Sequence, residues 1–305
     1  MAELTPAELR ILVSVSDEGG FTAAGTTLGM TQSAVSHAVR GMERKLGTVL
    51  FARARTGATP TPAGERAAAH ARRILRLYEV MVAEVRADNA TGAVLSGPLH
   101  VAAFRSAALH LLPDALERLA RRHPGLRPEV RVVRDVGPGP AGEVADGRAD
   151  LAIATLGGST PMPAGLITGD LLEEAYALAH PSGHTAPRSL PLVDWQENCS
   201  SYTAAWWSAQ DWLPPATITA EDDGTVLALV AQGRGMAVMP ELSLRDAPPS
   251  VETVDLGPDR PTRRIGYATT PELARTAGVR ALIRELRAGK PSALPGRTPG
   301  LHRGR

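Results

Sequence analysis

The chain has almost no cysteine, few lysines and no long apolar run. Cys199 is the single cysteine in 305 residues. One thiol makes neither a disulfide within the chain nor a cysteine-rich zinc cluster. No stretch approaches the ~18 consecutive apolar residues of a spanning helix, which argues against a membrane protein. The opening Met1-Ala2-Glu3-Leu4-Thr5-Pro6 has no basic segment followed by an apolar one. No secretory signal is visible, so a cytoplasmic location is expected. Lys45 and Lys290 are the only lysines among 33 cationic side chains. With many Ala and Gly, that bias reads as a GC-rich genome rather than a binding device.

Hydrophobic residues make up 43% and charged residues 21%, an ordinary globular balance. At roughly 150 residues per domain, the length suggests about two domains. The net charge is +1, so no global basic field exists. Residues 1–90 carry eleven cationic and nine acidic side chains. Within 31–64, Arg40, Arg44, Lys45, Arg53 and Arg55 face only Glu43. A local basic patch in a near-neutral chain is compatible with nucleic acid, and equally with a solvated face.

Thr5-Pro6-Ala7-Glu8 spells a capping box with proline at the first helical position. The spacing predicts a helix to Gly19, a second over 22–28 ended at Gly29, and a third from Thr31 to about Leu46. In the third, Val35, Val39, Met42 and Leu46 are spaced as one core stripe. Gln32, Ser33, Ser36, His37 and Arg40 occupy another face, with Thr31 able to cap and to touch a phosphate. A helix with polar side chains at its N-terminal end fits a major groove. A plain three-helix bundle would give the same periodicity. Residues 49–53 and 58–61, around a Gly-containing turn, read as a hairpin with Arg53 and Arg55 at its tip. Such a basic wing suits phosphates or the minor groove. Arg53 bracing the wing, or both arginines merely solvated, are the alternatives.

Phe21-Thr22-Ala23-Ala24, Leu28, Thr31-Gln32-Ser33-Ala34-Val35-Ser36, Met42-Glu43, Leu46-Gly47, Leu50-Phe51-x-Arg53 and Thr61-Pro62-Ala63-Gly64 stand in the order and spacing of one family. Residues 4–64 resemble the DNA-binding head of LysR-type transcriptional regulators. Gly25, just beyond the usual Ala-Ala pair, and Met42, in place of leucine, depart from the pattern. Gly25 is expected to loosen its helix by up to ~1 kcal/mol relative to Ala.

After Thr61-Pro62, the residues Ala67, Ala71, Ile74, Tyr78, Met81 and Val85 repeat at 4, 3, 4, 3 and 4. This heptad seam is ~27 Å long at 1.5 Å per residue and calls for a partner helix. Packing on its own domain is the bland alternative. The resemblance implies dimerisation through a long linker helix, which would place two recognition helices on two half-sites.

Beyond 89–92, strand candidates at 99–104, 130–133, 150–154, 175–179, 236–240 and 264–269 alternate with helices, among them one running from Ser106 through Leu119. The pattern is α/β with parallel strands. Leu111-Leu112-Pro113, His123-Pro124, Gly147-x-x-Asp150-Leu151-Ala152-Ile153 and Gly233-x-Gly235-Met236-x-x-x-Pro240 resemble the effector domain of the same family. The implied fold is α/β: an N-terminal winged helix-turn-helix (1–61), a linker and dimerisation helix (62–89), and a two-lobed, periplasmic-binding-protein-like (type II) effector domain (93–288). Lobe I would be about 93–167 and 267–288, and lobe II about 168–266. The Pro/Gly/Arg-rich tail, 289–305, reads as disordered, with a secondary DNA contact as its one other reading.

In an open α/β sheet, ligands lie beyond the carboxyl ends of strands. Ser106 and Thr155 follow strands there. Ser201, Tyr202 and Thr203 fall where the family's second lobe supplies polar pocket groups, and Thr225 is expected to start the helix facing that lobe's cleft. Asp222 and Asp223 suit a cationic or hydroxyl-rich effector, whereas Arg105 suits an anion, so the ligand charge stays open. Helix capping and loop polarity are the structural alternatives. Trp206, Trp207 and Trp212 read as lobe packing. Cys199 reads as structural, since a redox switch wants a resolving thiol. Pro181 and Gly183 argue against His180 and His184 sharing a metal.

The expected function is therefore a sequence-specific transcriptional regulator, not an enzyme, with no catalytic or metal residues and no cofactor beyond a small organic co-inducer. Its expected partners are double-stranded DNA, a second copy as homodimer or homotetramer, a small-molecule effector and RNA polymerase, with no membrane. An enzyme or solute binder lacks support, because no phosphate loop, nucleophile elbow, zinc-protease motif or dinucleotide fingerprint occurs. The near-zero net charge opposes an architectural DNA protein.

Overall fold

The computed structural model describes residues 3–54, 57–88, 95–157, 161–195 and 203–289. Helix α1 (Pro6–Glu18) starts on the expected capping box: the Glu8 amide donates to the Thr5 hydroxyl at 3.3 Å and the Thr5 amide to the Glu8 carboxylate at 2.9 Å. The Lys45 ammonium, 2.7 Å from Glu8, holds that carboxyl below its ordinary range. Helices α2 (Phe21–Leu28) and α3 (Gln32–Leu46) follow. Gly19, Gly29 and Gly47 end α1, α2 and α3 in the left-handed conformation that costs glycine least. Strands β1 (Phe51–Ala54) and β2 (Gly57–Pro60) form the antiparallel wing. Leu9, Leu12, Val15, Ala24, Val35, Val39, Met42, Leu50 and Phe51 make the core beneath it. Leu46 does not join its stripe. It is 39% exposed, because the last turn of α3 runs past the edge of this small core.

Gly25 has a purpose that helix propensity does not show. A Cβ there would stand 2.7 Å from the Met30 carbonyl oxygen, where the turn into α3 crosses α2. The glycine permits that crossing, so its absent side chain is a packing requirement and not a weakness.

Helix α4 (Pro62–Asp88) has three differently used faces. Ala68 and Ala71 are buried against the N-terminal core, with Ala67 and Leu75 packed beside them. Arg72 and Arg76 turn to the body that follows. Arg72 is bonded to Asp17 and Ser16 at the end of α1 and to the Asp146 carbonyl. Arg76 forks onto Asp150, with Nε at 2.6 Å and Nη2 at 2.8 Å, and Nη2 also donates to the Pro98 carbonyl at 2.7 Å. Burial works against the Arg76 charge, but Asp150 outweighs it and raises the guanidinium pKa.

The C-terminal body begins with β3 (Ser96–Ala103), α5 (Arg105–His110), α6 (Leu112–Arg122), β4 (Gly125–Val132), α7 (Gly139–Ala145) and β5 (Leu151–Leu156). The 15-residue β6 (Ile167–Pro181) then leads to β7 (Leu192–Trp195), α8 (Ala204–Ser208), β8 (Ala216–Ala220), α9 (Asp223–Ala231), β9 (Ala237–Pro240), α10 (Glu241–Leu244) and β10 (Val251–Asp255). The chain returns on β11 (Thr262–Thr269) and ends the described part with α11 (Ala277–Ala288). The main sheet runs β10-β6-β11-β5-β3-β4, with β9 also on β6. The all-parallel expectation is corrected here. β3 pairs parallel with β4 and β5, and β7 with β8, but β11 is antiparallel to β5 and β6, and β6 to β9 and β10. An outgoing strand and its returning neighbour lie side by side, so they oppose. Residues 167–175 of β6 pair with β11, and 176–181 pair with β9 and β10, so one strand is shared by both halves.

The single helix expected from Ser106 to Leu119 is two. Pro113, which has no amide hydrogen and would crowd the Leu109 carbonyl, sits in the first turn of α6, and Leu109 is left exposed. The tryptophans pack as expected: Trp206 meets Trp207 and Trp212 edge-on, at 5.7 and 6.4 Å, over Tyr176, Leu178, Met236 and Val238.

Replacing Gly25 by Ala is expected to lower the thermal midpoint, against its helix propensity. The same change at Gly41, mid-α3, whose Cβ would find only Arg44 at 4.0 Å, is expected to stabilise by up to ~1 kcal/mol. Paired melting curves decide both. A stabilising Gly25→Ala would remove the close-approach argument.

Candidate functional site

The outer face of α3 begins at its cap. The Ala34 amide donates to the Thr31 hydroxyl at 3.2 Å, and the Ser33 hydroxyl lies 3.0 Å from it. Gln32, Ser33, His37 and Arg40 are exposed, while Val35, Val39 and Met42 are buried. The Arg40 Nε donates to the Ser36 carbonyl at 3.3 Å, which lays the guanidinium along the helix. Ser36 itself corrects the expectation. It is only 5% exposed, because its position turns inward with Val35 rather than outward with Gln32 and Arg40.

The wing closes with Arg53 opposite Ala58 and Ala54 opposite Gly57. Arg53 is thus a strand residue one step before the tip. Its side chain, and Arg55 altogether, lie outside the described residues. Sequence reasoning missed Glu43. Its carboxylate accepts from the Leu50 and Phe51 amides at 2.9 and 3.3 Å, tying the wing to α3. Its place in the Met42-Glu43 pair within an otherwise basic stretch was the available signal.

The seam on α4 divides. Ile74, Tyr78, Met81 and Val85 are 46–57% exposed and form one row. Ala67 and Ala71 do not extend it, since the N-terminal core of the same chain covers them. The bland reading is right for the first two turns of the seam, and the outward row begins at Ile74.

In the C-terminal body, charged side chains meet across the two halves. Arg105, just after β3, reaches Asp223 at 3.1 Å and Asp246 at 3.3 Å. His110 stands 3.3 Å from the same Asp246, and Arg134, after β4, 3.4 Å from Glu221. Deeper, Arg263 on β11 is bonded to Glu174 on β6 at 2.6 Å, and Glu174 accepts the Leu242 amide at 2.6 Å. Arg263 also lies 4.9 Å from the Phe104 ring centre and 3.5 Å from the Ser106 hydroxyl. Burial opposes its charge, yet Glu174 and its neighbours raise its pKa.

The expected effector residues fare unevenly. Ser106 is 1% exposed, its hydroxyl spent on Arg263, because it occupies the inner side of the first turn of α5. Thr155 is half-buried at the end of β5 and donates to Asp135 in the loop after β4. Thr203 is fully buried ahead of α8. Thr225 does not start its helix. Asp222 caps α9, accepting from the Thr225 amide at 2.9 Å and its hydroxyl at 3.0 Å, so that hydroxyl already has a partner. Burial opposes ionisation of Asp222, but these bonds prevail and lower its pKa. Ser201, Tyr202 and Cys199 lie outside the described residues. The Thr155 hydroxyl too already has a partner, in Asp135. Burial pushes the Asp135 carboxyl up, the Thr155 hydrogen bonds notwithstanding. His180, next to last in β6, has Nδ1 2.9 Å from the Pro181 carbonyl, and His184 Nδ1 accepts the Ala186 amide, so each ring is engaged locally. Among the described residues no helix is long and apolar enough to cross a membrane.

Residues 6–65 match the family model described as bacterial regulatory helix-turn-helix protein, lysR family, and residues 92–290 match the LysR substrate binding domain. The chain is 33% identical over 295 residues to a probable HTH-type transcriptional regulator, LrrA, of Synechococcus elongatus, covering 93% of this chain and 97% of that one. A full-length OxyR from Pseudomonas aeruginosa shares its fold at 22% identity and TM-score 0.70, over 93% of this chain and 95% of that one. Full-length CbnR in complex with its target DNA does so at 19% identity and TM-score 0.64, over 93% and 99%.

Ile74→Asp is expected to leave the fold intact and to shift the chain to monomer in light scattering at micromolar concentration, whereas Ala71→Asp unfolds the N-terminal domain. A dimeric Ile74→Asp removes the seam. For Asp135, a raised folded-state pKa means that its contribution is favourable at low pH and is lost as pH rises through that value. Asp135→Asn is therefore expected to raise the melting temperature at neutral pH, with the gain shrinking as pH falls toward the ordinary value of 3.8. A gain independent of pH would refute the burial account.

Proposed function

The chain belongs to the LysR family of transcriptional regulators, with a helix-turn-helix DNA-binding domain and an effector-binding domain, and on that basis we propose which of its residues read DNA and how the effector signal is carried. The observation that supports the DNA reading best is the two-faced α3. Its N-terminal end is capped by Thr31, and it exposes Gln32, Ser33, His37 and Arg40 while burying Val35, Val39 and Met42. Gln32, Ser33 and Arg40 enter the major groove, where a fork such as Arg40 recognises guanine edges. Thr31, Arg53 and Arg55 hold phosphates and set the register. Two copies joined along Ile74, Tyr78, Met81 and Val85 place two such helices on two half-sites, as a homodimer or a pair of dimers.

The effector is a small organic molecule seated between the lobes beside Thr155 and Asp135. It competes for the charged contacts of Arg105 with Asp223 and Asp246, and so changes how the lobes sit on β6 and β11. The lobe that carries Asp150 passes this change to α4 through Arg76. The regulated step is recruitment of RNA polymerase in the cytoplasm. A disulfide within one chain is not available as the signal, because Cys199 has no second cysteine to meet.

Footprinting with competitor DNA at physiological salt is expected to protect two half-sites one or two helical turns apart. Arg40→Ala should lose about 1–3 kcal/mol of discrimination at one base position in each half-site. Arg53→Ala should weaken binding to all sequences alike and make the salt dependence shallower. Wild-type affinity and selectivity in both variants would overturn the assignment of roles.

A further inference from the structure

The charge of the chain is distributed unevenly. Residues 276–305 carry seven cations, Arg280, Arg284, Arg287, Lys290, Arg297, Arg303 and Arg305, against one acid, Glu285. With +2 over 1–90, a chain of net +1 leaves −7 for 91–275. The positive end therefore sits beside an acidic body and not in a generally basic one.

The described part of this region shows how the charge is arranged. On α11, Val279, Leu282 and Leu286 are buried in the first lobe. Glu285 is fully buried too, held by Arg118 and Arg122 of α6, so the one acid is neutralised on the inner face. Arg280, Arg284 and Arg287, at i, i+4 and i+7, are exposed on the outer face. Together with Leu95, Ala277 and Ile283 they line a concavity of about 440 Å³ with no carboxylate in its wall. Among the described residues neither Arg280 nor Arg284 is paired with a carboxylate. Arg287 is braced on Tyr267, with Nη2 3.1 Å from the hydroxyl and the guanidinium 5.3 Å from the ring centre.

A row of like charges at i, i+4 spacing costs helix stability unless an anion answers it. Guanidinium forks match phosphate oxygens better than any other side chain. The row spans ~10 Å of helix axis at 1.5 Å per residue, longer than a single phosphate. A linear, repeating phosphate ligand fits that shape, and the family's own DNA supplies one. We propose that the outer face of α11, with Arg280, Arg284 and Arg287, is a second, sequence-independent contact to the phosphodiester backbone of duplex DNA flanking the half-sites. It rests on the chain being a DNA-binding regulator but not on α3 being the helix that reads the bases.

The test uses the full-length protein and two duplexes: one trimmed to the footprinted half-sites, the other extended by about 30 base pairs on each side, with binding followed across salt concentration. In Arg280→Gln/Arg284→Gln the salt slope on the extended duplex should become shallower by up to about 0.9 for each phosphate no longer neutralised, and should stay unchanged on the trimmed one. Arg280→Lys/Arg284→Lys, which keeps the charge, should restore it. An unchanged slope on the extended duplex overturns the proposal. So does calorimetric binding of tripolyphosphate that the Gln variant abolishes while its DNA slope stays intact, which would make the concavity a small-anion site. If wild type fails on the trimmed duplex, the α3 reading is at fault. A random-sequence 60-base-pair duplex then gives the same slope comparison and still decides the α11 proposal.

Discussion

The ion pair between Arg76 and Asp150 is the joint on which the arrangement turns. Asp150 is 1% exposed and takes both arms of the Arg76 fork as well as the His100 amide at 2.8 Å. A carboxylate so deeply buried is tolerable only when every oxygen is answered, and removing one partner of such a pair typically costs about 3–5 kcal/mol. Asp150 immediately precedes β5, the strand that β11 and β3 flank, so it is fixed by the centre of the sheet. Arg76 lies midway along α4. One helix is thereby attached to the middle of the sensor sheet at one point and to the DNA-binding core at another, through Ala68, Ala71 and the Arg72–Asp17 pair.

That attachment determines what is left over. At 100° per residue, the positions of α4 that meet the sensor, Arg76 and Val80, lie roughly opposite Ile74, Tyr78, Met81 and Val85. Committing one side to the sensor turns the apolar row outward, where Ile74, Tyr78, Met81 and Val85 are exposed. The same economy appears between the lobes. Arg263 and Glu174 sit in register on the two strands that connect the halves, and the Leu242 amide and the Phe104 ring close around them. This buried pair ties together the two strands that join the halves, while the Arg105 contacts to Asp223 and Asp246 are more exposed.

Much of this was legible from residue order. The capping box at Thr5, the glycine stops, the wing and the core positions Val35, Val39 and Met42 follow from local rules, because each depends on neighbours within a few residues. The family motifs carried the DNA-binding and effector-binding functions for the same reason, since they are strings at fixed spacing. Periodicity failed where a position is defined by something far along the chain. Ser36 and Gln32 are both polar and uncharged on α3, and only the packing of that helix on α1 and α2 decides that one is covered. Ala71 and Ile74 belong to a single heptad, yet α1 covers one and not the other. Thr155 and Asp135 are twenty residues apart, and only the sheet, which sets β5 and β4 on either side of β3, brings them together.

Residue order alone sets the kind of protein: a winged helix-turn-helix, a long helix and an α/β sensor, with the residues available to each. Helix stops, caps and stripes are set by short-range sterics and hydrogen bonding, which a linear reading captures. Which polar groups remain free to act is settled by the folded chain. Ser106, Thr203 and Thr225 are plausible ligand groups as letters, and are spent on Arg263, on burial and on Asp222 once folded. A hydroxyl or carboxylate is available to a ligand only if the fold has not already satisfied it, and that depends on long-range contacts between groups distant in sequence.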